Sequence, residues 1–294
     1  MAKRGAPVAL ALGGGGTKGI THLGVLRAVE QKGFHVAAIA GTSIGGLVAA
    51  VYATGRPLDE IIRRVAGLQQ GKLFRRGKEI DNALLGLEGV AEVLLELIGE
   101  KYFEELPIPL AVTAVDLNTG QEMVLSSGRV LDAVLATIAL PGIFPPRQID
   151  GHTLIDGGVS NPVPVSIARR LRPGIPVIAS VLSAPPMAEK PLPVTNLLPP
   201  TPVLDRLSQF RLAKALTVFS QAMNINGRVL TELRLDIEKP DAIVRPDVDH
   251  IGLLDPIDVE DFLARGEAAA AELKLGPALR ARAWWRGALP QGAL

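Results

Sequence analysis

The sequence contains no cysteine, few aromatic residues and no long apolar run. Without cysteine the chain has no disulfide, no thiolate nucleophile and no zinc site of the cysteine type. Aromatic residues make up 4% of the 294 residues, and Lys+Arg at 31 nearly balance Asp+Glu at 30. We therefore expect no nucleic-acid partner. No stretch reaches the ~18 apolar residues of a membrane span, so the sequence predicts a cytoplasmic protein with, at most, peripheral contact with a membrane.

What the chain does have is 48% hydrophobic residues and 31 glycines. Apolar runs typical of buried strands alternate with segments of helical periodicity, which predicts an α/β protein with a substantial core. The runs that predict strands are 8–12, 36–40, 110–115, 123–125 and 177–182. The segments that predict helices are 20–29, 47–53, 57–68, 84–98, 129–139, 161–171, 204–223 and 258–273.

The stretch from Gly41 to Gly45 reads Gly-Thr-Ser-Ile-Gly between a strand and a helix. This is the G-x-S-x-G pattern of a nucleophile elbow, in which a tight turn exposes the serine hydroxyl and leaves no room for neighbouring side chains. Ser43 is therefore a candidate nucleophile. The alternative is an ordinary Gly-Ser turn in which Ser43 is a helix N-cap.

A glycine-rich loop, Gly13 to Gly19, follows the first strand and opens the first helix. Consecutive glycine N–H groups can face one anion, so the loop is a candidate oxyanion site. The residues in question are Gly14, Gly15, Gly16, Thr17 and Lys18. Gly14, Gly16 and Gly19 also satisfy the dinucleotide pattern G-x-G-x-x-G, which predicts a nucleotide-binding oxidoreductase instead. That pattern needs an acidic residue at the end of the second strand, and here Gly-Thr-Ser stands there.

A serine nucleophile needs a base, and the usual triad places a histidine downstream of it. His152 and His250 are the two downstream candidates, and neither has a supporting motif. His22 follows the glycine loop, where a packed histidine is the expected outcome. Asp156 ends an apolar strand and precedes Gly157-Gly158, so its carboxylate can be approached closely. On this pattern alone, a base and a simple Asp-Gly turn are equally good interpretations of Asp156.

Four further segments have alternative interpretations. The basic residues of 71–80 favour a solvated loop over an anion site. The proline-rich stretch 183–202 is either a flap over a site or a surface loop. The predicted helix Leu204–Met223 has basic residues beside an apolar face, which favours core packing over contact with lipid. In the tail, Trp284 and Trp285 lie near three arginines and predict either a membrane interface or docking on the chain itself.

Together these motifs resemble the patatin-like phospholipase family in its bacterial branch. The similarity covers most of residues 8–275. The stretches that carry it are 13–19, 41–45, 109–120, 136–146, 156–158, 161–165 and 262–271. One difference is Thr137, where the family usually has serine.

The resemblance implies one α/β/α domain over residues 6–275, with a mostly parallel central sheet and a separate tail at 276–294. It also implies a Ser–Asp dyad without histidine. By position, Ser43 is then the nucleophile, Asp156 the general base, and the amides around Gly15, Gly16 and Thr17 the oxyanion hole. Lys18 would orient the loop or meet a phosphate headgroup.

The expected function is that of a serine lipid acyl hydrolase of the phospholipase A or lysophospholipase type. The substrate would be an acyl ester of a (lyso)phospholipid or related lipid, cleaved through an acyl-Ser43 intermediate. Neither a metal nor a cofactor is needed for this scheme. The remaining alternatives are the nucleotide-binding oxidoreductase and a lipid carrier that does no catalysis.

Overall fold

Apolar runs in the chain form the strands of one eight-stranded sheet. In the computed structural model, the residues described are 5–68, 87–185, 211–252, 255–256, 258–271 and 273. Within them the strands are β1 (Ala6–Leu12), β2 (Phe34–Thr42), β3 (Leu110–Asp116), β4 (Glu122–Leu125), β5 (Arg147–Ile149), β6 (His152–Asp156), β7 (Val177–Ser180) and β8 (Ala242–Val244). The helices are α1 (Thr21–Gln31), α2 (Ile44–Ala53), α3 (Leu58–Ala66), α4 (Glu88–Ile98), α5 (Val130–Thr137), α6 (Val165–Leu171), α7 (Arg211–Glu238) and α8 (Val259–Ala271).

The sheet is mostly parallel, with an antiparallel extension at one side. Strands β8, β7, β1, β2 and β3 are parallel neighbours in that order, while β4 and β6 both pair antiparallel with β3, and β5 with β6. The α/β architecture expected from the sequence is therefore confirmed.

The two faces of the sheet carry side chains of different size. One face presents large residues such as Leu10, Leu12 and Ile39 to a cluster that includes α1, α2, α3, α4, α5 and α8. The other face presents alanines to α6 and to Leu235 of α7. These alanines are Ala9, Ala11, Ala38, Ala40, Ala111 and Ala179. The small side chains let α6 lie close to the strands, and both faces are covered, as parallel sheets require.

Strand β3 continues past the end of β2, and this brings β6 to the end of β2. Pairing of β2 with β3 ends at Thr42 opposite Thr113. Strand β3 then continues to Asp116, and β6 pairs with this extension so that Asp156 lies opposite Ala114. The β5–β6 hairpin thus delivers Asp156 to the edge of the sheet at which β2 ends in Thr42.

Most predicted elements are present with small shifts at their ends. The turn between β5 and β6, at Asp150-Gly151, has positive φ at both residues, which is typical of an Asp-Gly hairpin turn. Asp258 accepts the Asp261 N–H at 3.1 Å and so caps α8. The Asp261 side chain binds Arg265 at 2.7 Å.

The helix predicted to end at Met223 is longer than expected: α7 continues to Glu238. Gly227 is tolerated inside it, and the effective stop is Lys239-Pro240, where Lys239 adopts a φ of 44°. The prediction was wrong because the contacts that hold the continued part, such as those of Arg228 with Asp249 and of Arg234 with Glu122, join segments distant in the sequence. Among the described residues, no helix is both long enough and apolar enough to cross a bilayer.

Several predictions fall outside the described residues. They concern the basic loop 71–80, the start of the helix at 84–86, the proline-rich stretch from 186 onward, residues 204–210 and 253–254, and the tail with Trp284 and Trp285. The predicted division into a domain and a tail therefore stays a prediction.

Candidate active site

Ser43 occupies a strained turn between β2 and α2. Its φ of 55° and ψ of −128° lie where non-glycine residues are rarely found. A Cβ added at Gly41 would overlap the Gly45 carbonyl group, and one added at Gly45 would overlap the Leu12 carbonyl oxygen. The backbone is therefore packed too tightly for side chains on either side of Ser43, as in a nucleophile elbow.

The Ser43 hydroxyl contacts the Asp156 carboxylate. Ser43 Oγ donates to Asp156 Oδ2 at 2.5 Å, and the Gly158 N–H donates to Asp156 Oδ1 at 2.7 Å. Asp156 is 3% exposed. Burial raises the pKa of its carboxyl from 3.8 to about 6, although the hydrogen bonds from Ser43 and Gly158 oppose the shift. No positively charged group lowers that pKa, so the Asp156 carboxylate is a stronger base than an ordinary aspartate.

The C-terminal end of α5 and the residues just after it hold both Ser43 and Asp156 by their backbones. Thr137 Oγ1 accepts the Ser43 N–H at 2.9 Å, and the Ala139 carbonyl accepts the Asp156 N–H at 3.0 Å. Thr137 is fully buried. Sequence reasoning found Thr137 only as a departure from a family pattern. No local signal links position 137 to position 43, because the contact depends on how α5 packs.

The glycine loop passes next to Ser43. A Cβ at Gly14 would lie 3.3 Å from the Ser43 Cβ. The Gly13 N–H donates to the Ser180 carbonyl at 2.9 Å and the Gly14 N–H to the Pro162 carbonyl at 3.0 Å. No acceptor within the described chain is recorded for the N–H groups of Gly15 and Gly16, which begin a 3₁₀ turn at Gly16–Ile20. Of the predicted oxyanion donors, Gly14 is thus already bonded, whereas Gly15 and Gly16 have unused amides.

Thr17 and Lys18 lie in that turn and are mostly buried. Thr17 Oγ1 donates to the Gly252 carbonyl at 3.4 Å, which attaches the loop to the segment after β8. Burial lowers the pKa of Lys18, with the charge of Asp249 acting in the opposite direction. The predicted role of Lys18, to orient the loop or to meet a phosphate headgroup, stays a prediction.

All four histidines lie in the described part of the chain, and none is recorded as hydrogen-bonded to Ser43 or Asp156. His22 is fully buried, with Nε2 2.8 Å from the Gly13 carbonyl and Nδ1 2.8 Å from Ser180 Oγ. Burial lowers the pKa of His22 to about 4. Because a carbonyl can only accept, Nε2 carries the proton of the neutral ring and Nδ1 accepts from Ser180. His22 thus fixes the start of the glycine loop.

The other three histidines have different positions. His35 Nδ1 lies 2.6 Å from the Gly5 carbonyl and His152 Nδ1 lies 3.0 Å from Asp116 Oδ2, while His250 is exposed. The arrangement therefore contains a hydroxyl and a carboxylate without an imidazole between them.

Threonine hydroxyls and Asn161 surround the end of β2. Thr42 Oγ1 donates to the Asn161 carbonyl at 2.8 Å, so Thr113 Oγ1, 2.7 Å away, donates to Thr42. The Asn161 amide donates to Glu122 at 2.8 Å. These contacts join the ends of β2 and β3 to the segment that follows Asp156.

The described residues contain no group of three or more His, Asp or Glu side chains that would hold a metal ion. A cleft of about 680 Å³ is lined by residues that include Arg27, Tyr52 and Arg56. Tyr52 is near the C-terminal end of α2, about 13 Å along the helix from Ser43, so this cleft is separate from the Ser43–Asp156 pair.

Chemically, the arrangement suits proton transfer from a hydroxyl to a carboxylate. The carboxylate is already at hydrogen-bond distance, its pKa is raised, and two unused amides lie in the adjacent loop. Such amides can bind an oxygen that becomes negative during the reaction.

Several known proteins are similar to this chain. An uncharacterised NTE family protein of Mycobacterium tuberculosis is 37% identical over 161 residues, which are 54% of this chain and 44% of that protein. Lysophospholipase NTE1 of Mycosarcoma maydis is 30% identical over 169 residues, 55% of this chain and 9% of that protein. The chain thus spans less than half the length of the curated relatives named here.

Among solved structures, VipD from Legionella pneumophila matches with a TM-score of 0.56 at 13% identity, over 92% of this chain and 67% of VipD. This likeness concerns the fold alone. The family model described as patatin-like phospholipase matches residues 10–169, more than half of the chain. The chain therefore belongs to the patatin-like phospholipase family.

Proposed function

We propose that this protein is a serine lipid acyl hydrolase in which Ser43 and Asp156 form a catalytic dyad. The observation that carries the proposal is the 2.5 Å contact between Ser43 Oγ and Asp156 Oδ2 at a strained turn. Membership of the patatin-like phospholipase family supports a lipid ester as the substrate. The lysophospholipase name of one relative supports a (lyso)phospholipid in particular.

In the first half-reaction, Ser43 Oγ attacks the carbonyl carbon of the acyl ester. Its proton passes to Asp156 Oδ2, and the carbonyl oxygen becomes the oxyanion of a tetrahedral intermediate. The amides of Gly15 and Gly16 would donate to this oxyanion. When the intermediate collapses, the bond to the alcohol oxygen breaks, and that oxygen takes the proton from Asp156. The products are the alcohol or lysolipid and an acyl-Ser43 ester.

In the second half-reaction, Asp156 removes a proton from a water molecule that attacks the acyl-Ser43 carbonyl. The bond between the acyl carbon and Ser43 Oγ breaks, and the proton returns to Oγ. A free carboxylic acid leaves. A carboxylate with a pKa of about 6 is a better base than an ordinary aspartate, and it is mostly ionised at pH 7. Burial without a cation therefore suits Asp156 to this role.

Two other functions are less well supported. Dinucleotide binding would need the Gly14 N–H for the pyrophosphate, but this group donates to the Pro162 carbonyl, and β2 ends without an acidic residue. A carrier that does no catalysis would not need the strained backbone at Ser43.

Two experiments test the proposal: substitution of Ser43 in a variant, and covalent labelling of Ser43 in the wild type. We expect Ser43→Ala to lower hydrolysis of a chromogenic acyl ester at least about a thousandfold while the circular dichroism spectrum is unchanged. A fluorophosphonate should add one adduct at Ser43, seen by mass spectrometry. Ser127→Ala, at an exposed serine, is the matched control. It should hydrolyse the ester at the wild-type rate and be labelled at Ser43 like the wild type. Full activity of Ser43→Ala, or labelling at another serine, would contradict the proposal.

A further inference from the structure

Helix α7 carries large apolar side chains that are exposed along one face. Val218 is 65% exposed and Ile225 49%, and the same stripe continues through Val229, Leu233 and Ile237. Spacings of seven and four residues place them on one side of the helix. Single exposed apolar residues need no explanation, but a continuous stripe on one helix does.

The opposite side of α7 is attached near the candidate active site. Arg234 donates to the Ser160 carbonyl and to Glu122, each at 3.0 Å. Arg228 forms a buried ion pair with Asp249, which also accepts the Ala184 N–H at 3.2 Å. Ala184 lies two residues from Leu182, against which Gly15 packs. The helix is therefore held beside the loop that carries the free amides.

The part of α7 before Arg228 extends beyond these attachments. Residues 211–227 span about 25 Å of helix. For residues 221–227, the structure records no hydrogen bond or ion pair to another element of the described chain. We call residues 211–227 the projecting end of α7, and within it Val218, Ala222 and Ile225 are exposed.

Charge differs sharply between the two ends of the stripe. The sequence has no Asp, Glu, Lys or Arg between Lys214 and Arg228. By contrast, Ile237 is preceded by Asp236 and followed by Glu238 and Lys239. A helix at a lipid interface buries an apolar face, and any charge carried into the lipid with that face must be desolvated. The projecting end has exposed apolar residues without charged neighbours, whereas the Ile237 end has charged neighbours.

We propose that the projecting end of α7 docks on a lipid surface, with Val218, Ala222 and Ile225 entering the interface. This inference builds on the proposed function, since the surface would hold the lipid that the Ser43 site cleaves. Docking by this segment would bring the glycine loop close to the membrane and shorten the path of an acyl lipid from the bilayer to Ser43. A second copy of the chain on the stripe is the competing occupant, and the experiment distinguishes the two.

The experiment compares two ends of one helix. The double variant Val218→Asp/Ile225→Asp places charges on the projecting end, and Ile237→Asp, at a residue that is 76% exposed, is the matched control. Flotation with phosphatidylcholine vesicles measures binding of the full chain. We expect the double variant to bind at least about tenfold more weakly than the wild type, and Ile237→Asp to bind normally.

A second pair of measurements separates docking from catalysis. The double variant should hydrolyse a dispersed short-chain ester within about twofold of the wild-type rate, yet lose its activity on vesicle phospholipid. Ile225→Trp should bind vesicles more tightly than the wild type, a gain that misfolding cannot produce.

The outcomes against the proposal are distinct. Wild-type protein that does not float with vesicles, or a double variant that floats as well as the wild type, overturns it. So does a change from dimer to monomer in the double variant on gel filtration, because the stripe is then an interface between copies. Failure of the wild type to cleave the dispersed ester would instead contradict the proposed function, and vesicle binding is read independently of that result.

Discussion

Two aspartates on neighbouring strands, Asp156 and Asp116, are equally buried and yet differ in acidity. Each is 3% exposed, and Asp116 on β3 lies opposite Leu154, two residues before Asp156 on β6. Burial raises the pKa of Asp156 to about 6. Hydrogen bonds from His152 first, and then from the Asn118 N–H and the Thr119 hydroxyl, lower the pKa of Asp116 below its usual value.

Burial is the largest cause of the pKa shift at Asp156, whereas at Asp116 the hydrogen bonds come first and outweigh it. Asp116 is supplied with an imidazole and with the donors of its own Asp-Leu-Asn-Thr turn, which stabilise its charged form. Asp156 has one hydroxyl and one amide. A carboxylate that is buried with few donors and without a cation holds its proton more tightly, and this makes Asp156 the better base of the two.

The largest effect that tests this comparison is expected for Asp156→Asn. Activity on a chromogenic ester should fall at least about a thousandfold, because an amide cannot accept the Ser43 proton. The free energy of unfolding of this variant, by contrast, should increase relative to the wild type. The folded protein holds the Asp156 proton up to about pH 6, whereas the unfolded chain releases it near 3.8, so folding loses up to about 3 kcal/mol as the pH rises through that range.

Asparagine has no charge and avoids that loss. Relative to the wild type, the free energy of unfolding of Asp156→Asn in urea should therefore increase between pH 4 and pH 8. If the free energies of unfolding of the two proteins depend equally on pH, then burial does not raise the pKa of Asp156, and the comparison is contradicted.

A smaller effect is expected for Thr137→Val. This near-isosteric change removes the acceptor of the Ser43 N–H and leaves the surroundings of Asp116 untouched. We expect kcat to fall about tenfold to a hundredfold with little change in KM, since the serine is displaced and substrate contacts remain. Thr137→Ser keeps the oxygen and should restore most of kcat. Equal losses in the valine and serine variants would point to packing and not to the hydrogen bond.

The smallest effect on activity is expected for Asp116→Asn. The wild-type kcat/KM should fall about tenfold per pH unit below a midpoint near 6, as the base is protonated, and remain level above it. Asp116→Asn should keep this midpoint. Because the lowered pKa of Asp116 stabilises the folded state above pH 3.8 and that contribution disappears at lower pH, the variant should melt earlier at pH 7 and approach the wild type as the pH falls below 3.8. A shifted activity midpoint in Asp116→Asn would show that Asp116 takes part in the titration.

Much of the fold follows from local patterns in the sequence. Apolar runs identify the strands, and the turns at Asp150-Gly151 and Asn118 are encoded by residues that favour them. The predicted end of α7 was wrong because the buried side of this helix is defined by distant partners such as Asp249 and Glu122. Periodicity within the helix does not reveal such partners.

At the candidate site, the sequence identifies the residues but not the hydrogen bonds that they form. The glycines around Ser43 are readable because tight backbone packing excludes all other residues. The support from Thr137, and the use of the Gly14 amide by Pro162, arise from contacts between distant segments and could not be predicted. Likewise, the low pKa of Asp116 and the raised pKa of Asp156 depend on which neighbours the fold brings together.

The alanine-lined face of the sheet has a consequence for tolerance to mutation. The segment just before α6 supplies the Pro162 carbonyl to the glycine loop, and the Val163 side chain contacts Gly13. An extra pair of methyl groups at Ala11 or Ala40 would push α6 outward and move this segment with it. Such substitutions, which leave every reacting group in place, would change the distance between the glycine loop and Ser43, so these alanines set the position of the proposed oxyanion site.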